Sequence, residues 1–310
     1  MNNSDLMSGV LSPVITPFDE DLKPDADKLI KQCRWLVSND VGLAVFGTNS
    51  EANSMSTEEK VILLEKLVEA GVPAERMMPG TGCCALPDTL ELTRRAVELG
   101  CGGVLMLPPF YYKDVSDEGL YRSFAEVIDR IADDRLRIYL YHIPPVAQVS
   151  ITLPLIERLL KDYPGIVVGI KDSSGDWNNT KTMLAQFKGE KFNIFPGSET
   201  FLLDGLRNGA AGCISATANV NPKAISHLAA TWQQDDADEQ QAGLDRLRSI
   251  FQGYVMIPAM KAAVAHYSAT LGWRRVRPPL VGFDDEQSKK LIESLEALGF
   301  TMDGLENLDE

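Results

Sequence analysis

The sequence predicts an α/β chain, a (β/α)8 barrel followed by a C-terminal helical extension, and three observations carry that expectation. Short apolar or β-branched runs recur along most of the chain. Each is followed by a turn and then by a segment whose apolar residues repeat at helical spacing. The first run ends in Thr16-Pro17-Phe18, where a doubly wound open sheet would usually carry a Gly-rich phosphate loop. Nearly continuous apolar strands alternating with helices mean a parallel sheet covered by helices. Eight such units in roughly 235 residues fit the size of a barrel.

The runs follow one another as Val10–Ile15, Gly42–Phe46, a weak one at Met77–Met78, Val104–Leu107, Ile138–Tyr141, Ile166–Ile170, Phe192–Phe195 and Cys213–Ser215. The segments between them carry helix punctuation. Ser56-Thr57-Glu58-Glu59 is a capping box, in which hydroxyl and carboxylate each satisfy an orphan backbone donor. Val61, Leu64 and Val68 then line one face, before Gly71 and Pro73 stop the helix. Asp88 to Glu91 repeats the cap, and Gly100 ends that helix. After Ser116, the residues Leu120, Phe124, Val127, Ile128 and Ile131 form an apolar stripe. Thr152 with Pro154 opens another helix through Leu155, Ile156, Leu159 and Leu160. The alternation stops near Asp236. The organisation expected is therefore a barrel over residues 1–235 and a helical segment over 236–310 packed on it. That segment holds helices around Leu244–Ile250, over Met256–Leu271 and over Glu286–Leu298.

Composition narrows the function classes. The 310 residues carry 30 Lys+Arg against 44 Asp+Glu, a net charge of −14, with 45% hydrophobic and 24% charged residues. These are globular proportions. The acidic balance repels phosphate backbones and anionic lipid, so neither a nucleic acid nor a membrane is the expected partner. Met1–Asp5 has neither a basic region nor an apolar core, so a signal peptide is not expected. Cys33, Cys83, Cys84, Cys101 and Cys213 are odd in number and never spaced as CxxC, which suits reduced thiols in a cytoplasmic protein. His142, His227 and His266 are too few and too dispersed for a metal site.

In a parallel barrel, chemistry sits at the C-terminal ends of the strands. The second run ends in Gly47-Thr48-Asn49-Ser50-Glu51, whose hydroxyls, amide and turn N–H groups suit a carboxylate, although such turns also cap helices everywhere. The run Ile166–Ile170 leads straight into Lys171-Asp172-Ser173-Ser174. A lysine closing an apolar parallel strand points into the barrel mouth, where desolvation disfavours the ammonium and frees an amine to attack a carbonyl. A snorkelling strand-end lysine is the alternative. Tyr141, like Phe110-Tyr111-Tyr112, stands at a strand end, where a tyrosine is as readily core as catalyst.

Taken in order, Gly47–Glu51, Pro109-Phe110-Tyr111-Tyr112, Tyr141-His142-Ile143-Pro144, Gly169-Ile170-Lys171-Asp172, Phe195-Pro196-Gly197-Ser198 and Ile214–Asn219 resemble the dihydrodipicolinate synthase / N-acetylneuraminate lyase superfamily of pyruvate-dependent class I aldolases, the DapA-like enzymes. The likeness runs from about Val10 to Phe283. The resemblance implies that Lys171 is the Schiff-base lysine and Tyr141 the acid/base group. It implies that Thr48 and Asn49 bind the keto-acid carboxylate, with Thr48 also in the proton relay. Tyr111 matches the relay tyrosine, which in synthase-type tetramers comes from the neighbouring subunit, and Tyr112 is its possible substitute. Gly197 and Ile214 would line the pocket behind the imine.

Two features depart from the family pattern. The usual turn is Gly-Thr/Ser-Thr-Gly-Glu, whereas Asn49 and Ser50 occupy its third and fourth positions here. Dihydrodipicolinate synthases also carry an arginine five residues after the strand tyrosine, where it grips the carboxylate of aspartate semialdehyde. Val146 stands there instead, and losing a bidentate partner weakens that substrate by several kcal/mol. The expected activity is therefore a Schiff-base-forming carbon–carbon or carbon–oxygen lyase on pyruvate or another 2-oxo acid, of aldolase or keto-deoxy-acid dehydratase type. It needs no metal and no organic cofactor, because the covalent lysine imine takes that part. The alternatives are 4-hydroxy-tetrahydrodipicolinate (dihydrodipicolinate) synthase, condensing pyruvate with aspartate semialdehyde, and a non-catalytic 2-oxo-acid binding protein. The resemblance further implies a homo-oligomer, a tetramer or a dimer.

Overall fold

The computed structural model describes residues 6–305, so the Met1–Asp5 leader reading lies outside the described residues. The chain divides into two compact units, one formed by Met1–Gly9 with Pro73–Ile214 and the other by Val10–Val72 with Ser215–Glu310. No helix among the described residues is long and apolar enough to cross a membrane.

The first unit is built on a parallel sheet. Its strands are β3 (Val104–Met106), β4 (Ile138–His142), β5 (Val167–Asp172) and β6 (Asn193–Pro196), hydrogen-bonded in that order. β4 and β5 are buried along their whole length, which is why they read as continuous apolar runs and not as alternating ones. Beside β6 lies β7 (Gly212–Ile214), entered through the Ala211 N–H donating to the Ile194 carbonyl at 3.0 Å. The weak run expected at Met77–Met78 is displaced. Those methionines are fully buried, and the pairing falls on Pro79–Thr81, where Leu105 donates to Pro79 at 2.9 Å and accepts from Thr81 at 3.1 Å. A proline without an N–H stands inside that segment, so it pairs too briefly to form a regular strand.

Covering helices follow each strand: α3 (Leu86–Glu98), α4 (Asp117–Ile131), the short α5 (Pro144–Ala147), α6 (Leu153–Asp162), α7 (Trp177–Gln186) and α8 (Leu202–Arg207). α4 starts where Ser116 accepts from the Gly119 N–H at 3.2 Å, and it buries Leu120, Phe124, Val127 and Ile128. Each such side chain contributes about 1.5–3 kcal/mol on leaving water. α6 is capped by Thr152, as its sequence indicates. The cap expected at Asp88 is not one. α3 begins two residues earlier, at Leu86 with Pro87 in its first turn, so Asp88 lies inside the helix near its positive end.

The second unit pairs β1 (Gly9–Ser12) with β2 (Gly42–Leu43) in parallel. It carries α1 (Ala26–Ser38), α2 (Thr57–Glu69), α9 (Pro222–Thr231), α10 (Ala237–Gln252), α11 (Met256–Tyr267) and α12 (Asp285–Glu296). α2 opens on the capping box: Ser56 accepts from Glu59 N–H at 3.1 Å and Glu59 accepts from Ser56 N–H at 2.9 Å. α11 is buried continuously from Pro258 to Ala265, as expected of a helix apolar on every side but for Lys261. It ends at Tyr267, short of the Leu271 expected, because Ala269 turns left-handed at φ 52° and the chain tightens into a 3-10 turn over Leu271–Arg274.

Candidate active site

Strand register builds the site. Across β4 and β5, Tyr139 stands opposite Gly169 and Tyr141 opposite Lys171; across β5 and β6, Gly169 faces Asn193 and Lys171 faces Phe195. Side chains alternate along a strand, so these odd-numbered residues share one face and stack in two layers. The lower layer holds the fully buried Tyr139 ring. It needs glycine at its flanks: a Cβ on Gly169 would come within 2.4 Å of the ring and one on Gly103 within 2.6 Å. The Tyr139 hydroxyl accepts from the Met7 N–H at 2.9 Å, and Asn193 donates to the Met7 carbonyl at 3.0 Å.

The upper layer holds Lys171 and Tyr141. Lys171 and Tyr141 are 3% and 4% exposed, and the lysine Nζ lies 3.3 Å from the tyrosine Oη and 4.4 Å from its ring centroid. A primary amine and a phenol meet here in a buried setting, within proton-transfer distance of each other.

The next residue on each strand points the other way. Asp172 accepts from Thr180 Oγ1 at 2.6 Å and from Asn179 Nδ2 at 3.0 Å through Oδ2, and from the Ser174 N–H at 3.0 Å through Oδ1. It therefore ties the end of β5 to α7. His142 accepts from the Ile151 N–H at 3.0 Å through Nδ1. Burial lowers its pKa below the ordinary histidine value, against the pull of Asp172, so it stands as a neutral imidazole in the wall.

Gly197 donates its N–H to the Asp172 carbonyl at 2.7 Å and lies against Ser173, whose Oγ would be 2.1 Å from an added Cβ. It marks the end of β6 beside the end of β5, and Ile214 closes β7 fully buried. Tyr111 and Tyr112 are not part of the buried pair. Each is 74% exposed, with their rings edge to face at 5.3 Å. Val146, on α5, is 62% exposed. Lys113 donates to the Ala147 carbonyl beside it at 2.8 Å and also to that of Phe110.

Thr48 and Asn49 belong to the second unit, half-buried in the 3-10 turn Thr48–Ser50. Ser50 earns its place where the family pattern has glycine: its Oγ accepts from the Gly47 N–H at 3.1 Å, and its carbonyl accepts from Thr16 Oγ1 at 2.8 Å. Beyond the turn lies an ion network that sequence reasoning missed. Glu51 pairs with Lys261, and both side chains are buried to within 1%. The signal was there in part. Lys261 is the one charged residue in the first ten of α11, an otherwise apolar segment, and a lysine so placed requires a partner. No group of three or more His, Cys, Asp or Glu among the described residues is arranged to hold a metal ion.

Comparison with known proteins places the chain among lyases of the aldolase class. The chain belongs to the dihydrodipicolinate synthetase family, whose sequence profile matches residues 6–298. An uncharacterized DapA-like lyase of Chloroflexus aurantiacus is 34% identical over 293 residues, covering 94% of this chain and 96% of that protein. The crystal structure of dihydrodipicolinate synthase from Agrobacterium tumefaciens superposes with a TM-score of 0.86 at 31% identity, covering 94% of this chain and 99% of that one. YagE, a prophage protein of E. coli solved in complex with pyruvate, superposes with a TM-score of 0.85 at 25% identity, covering 95% and 99%. The fold is the (β/α)8 barrel with C-terminal helices that the alternation of runs predicts.

Proposed function

We propose that this lyase acts by forming a Schiff base between Lys171 and pyruvate, or a 2-oxo acid containing a pyruvate unit. The observation that carries the reading is the buried contact of Lys171 Nζ with Tyr141 Oη at 3.3 Å. The neutral amine adds to the ketone carbon. Tyr141 protonates the resulting hydroxyl, which leaves as water, and the iminium remains. That iminium accepts the electron pair of the C3–C4 bond while the C4 hydroxyl gives up its proton and becomes an aldehyde, leaving an enamine; or it loses a C3 proton to form the enamine, which adds to an aldehyde in the reverse reaction or expels a C4 hydroxyl as water. Thr48 and Asn49 receive the carboxylate, and Gly197 and Ile214 wall the pocket. The relay tyrosine is Tyr111, contributed to a neighbouring subunit of a homo-oligomer, and its 74% exposure supports that role. The likeness to a pyruvate-bound relative supports the choice of oxo acid.

Borohydride reduction in the presence of pyruvate, followed by peptide mass spectrometry, tests the reading. A reduced pyruvyl adduct on Lys171 is expected. An unmodified Lys171 in the folded protein, with pyruvate and with longer 2-oxo acids, would leave a binding protein without catalysis.

One observation favours a second reading, condensation of the enamine with aspartate semialdehyde. Lys113 brings a cation to α5 beside Val146, where it would meet a second carboxylate. Turnover with pyruvate and aspartate semialdehyde that collapses in Lys113→Met would select this reading. Absence of turnover in the wild type removes it.

A further inference from the structure

Glu51 adopts a left-handed backbone conformation, φ 57° and ψ 34°, immediately after the Thr48–Ser50 turn. A residue with a Cβ held there costs of order 1–3 kcal/mol, and it persists only where the surroundings over-determine it. They do so here through both carboxylate oxygens. Oε1 takes the Lys261 ammonium, and Oε2 accepts from the Arg277 N–H at 2.8 Å. Lys261 also donates to the Arg275 carbonyl at 2.7 Å. The Arg277 side chain closes the ring from outside. Its guanidinium donates to Glu59 at 2.5 and 2.9 Å, to the Ser54 carbonyl at 2.6 Å and to the Leu22 carbonyl at 2.8 Å. The Phe18 ring lies 4.5 Å from the lysine Nζ and 4.8 Å from the guanidinium carbon.

A buried ion pair is an expensive way to stabilise a fold, because desolvation offsets most of its attraction and an apolar pair often does better. Burial lowers the Lys261 pKa to about 8 even against Glu51, which shows how large that cost is. Such a pair brings direction instead: it fixes one carboxylate in one orientation, and through it the residues attached.

We propose that Lys261 and Arg277 are positioning residues for the reaction. By clamping Glu51 in its left-handed conformation, they set the direction in which Thr48 and Asn49 face the substrate carboxylate. This rests on the reading that those two residues bind it. Neither Lys261 nor Arg277 needs to touch substrate.

The test is the pyruvate dependence of borohydride trapping on Lys171 in wild type, Lys261→Met and the double variant Glu51→Gln/Lys261→Met, with the melting temperature of each. In Lys261→Met the half-saturating pyruvate concentration should rise at least about tenfold, the loss of one hydrogen bond to a charged group. The adduct at saturation should remain close to wild type. The double variant, with no charge left uncompensated, should recover melting temperature without recovering half-saturation, and it carries the comparison if the single variant does not fold. Unchanged half-saturation in either folded variant overturns the positioning role while the wild-type adduct leaves the Schiff-base reading standing. So does recovery of both quantities together. No adduct in the wild type overturns the Schiff-base reading and this one with it.

Discussion

Replacing Tyr141 with phenylalanine separates chemistry from packing at the reactive pair. The ring is 4% exposed and sits 4.4 Å from Lys171 Nζ, and phenylalanine keeps both the ring and that contact. What disappears is the hydroxyl 3.3 Å from the amine. For folding, the loss of a hydrogen bond amounts to about 0.5–1.5 kcal/mol, a decrease of a few degrees in Tm. For catalysis, removing a positioned proton donor costs about 10²- to 10⁴-fold, equivalent to about 3–5 kcal/mol of barrier. The two effects are therefore distinguishable in one preparation. Stopped samples reduced with borohydride at intervals after mixing with pyruvate would give the rate of imine formation on Lys171, and calorimetry the stability. The expected result is a slow approach to the wild-type extent of labelling in a protein that melts nearly normally. A labelling rate within about threefold of wild type would refute the assignment of Tyr141 as the proton donor, because that falls far below the range for general acid catalysis.

Gly169→Ala should destabilise the protein by about 3 kcal/mol or more: the new methyl would meet the Tyr139 ring at 2.4 Å and the backbone oxygen of Asn193 at 2.5 Å, and overpacking exceeds the fraction of a kcal/mol gained from a less flexible unfolded chain. Denaturant titration would check it, and a midpoint equal to wild type would contradict the packing described. Burial lowers the folded pKa of His142 below its unfolded value of 6.5, so its contribution to stability is present above that pH and declines as pH falls below it, where the unfolded chain binds the extra proton. Unfolding free energies from pH 8 to pH 5 should fall more steeply for wild type than for His142→Asn, and parallel slopes would count against a buried neutral imidazole. If the protein is the proposed homo-oligomer with Tyr111 reaching a neighbouring site, mixing Tyr111→Phe protein with Lys171→Ala protein under conditions of subunit exchange should restore activity that neither has alone, because hybrid sites would combine one subunit's lysine with its neighbour's tyrosine. If only Tyr112→Phe complements, the relay role passes to Tyr112; if neither does, the tyrosine acts within its own chain.

Lys171 stood out because it breaks a pattern: an amine closes the apolar run Ile166–Ile170, and the structure holds it buried beside Tyr141. Ser56 and Thr152 were legible as helix starts because the backbone N–H that each hydroxyl accepts from lies three residues away, so the whole interaction is local. The errors were also physical. Asp88 satisfies the same local rule as Ser56, yet Pro87 had already started α3 before it. Met77 and Met78 are as buried as strand residues, but Pro79 limits their pairing. The Glu51–Lys261 contact joins residues 210 positions apart. Nothing in local periodicity encodes that distance, although a lysine in the apolar α11 signals that some carboxylate must be found for it. Exposure divided Tyr141, which closes its apolar run and is 4% exposed, from Tyr111, four residues past Leu107 and 74% exposed.

The alternation of β5 has a consequence for how its gene can change. Gly169 and Lys171 face Tyr139 and Tyr141, while Asp172 on the other face holds α7, so adjacent codons serve opposite sides of one sheet. Losing the codon of Gly169 or Ile170, with the start of the strand kept in place, would turn the amine outward and present the Asp172 carboxylate to Tyr141, leaving an acid where Lys171 stood. Point substitutions at even positions can drift with the helices they touch, whereas between Val167 and Gly169 the strand already accommodates an extra residue against β4. The segment from Gly169 to Asp172 is thus held constant in length by parity, independently of how much stability it contributes.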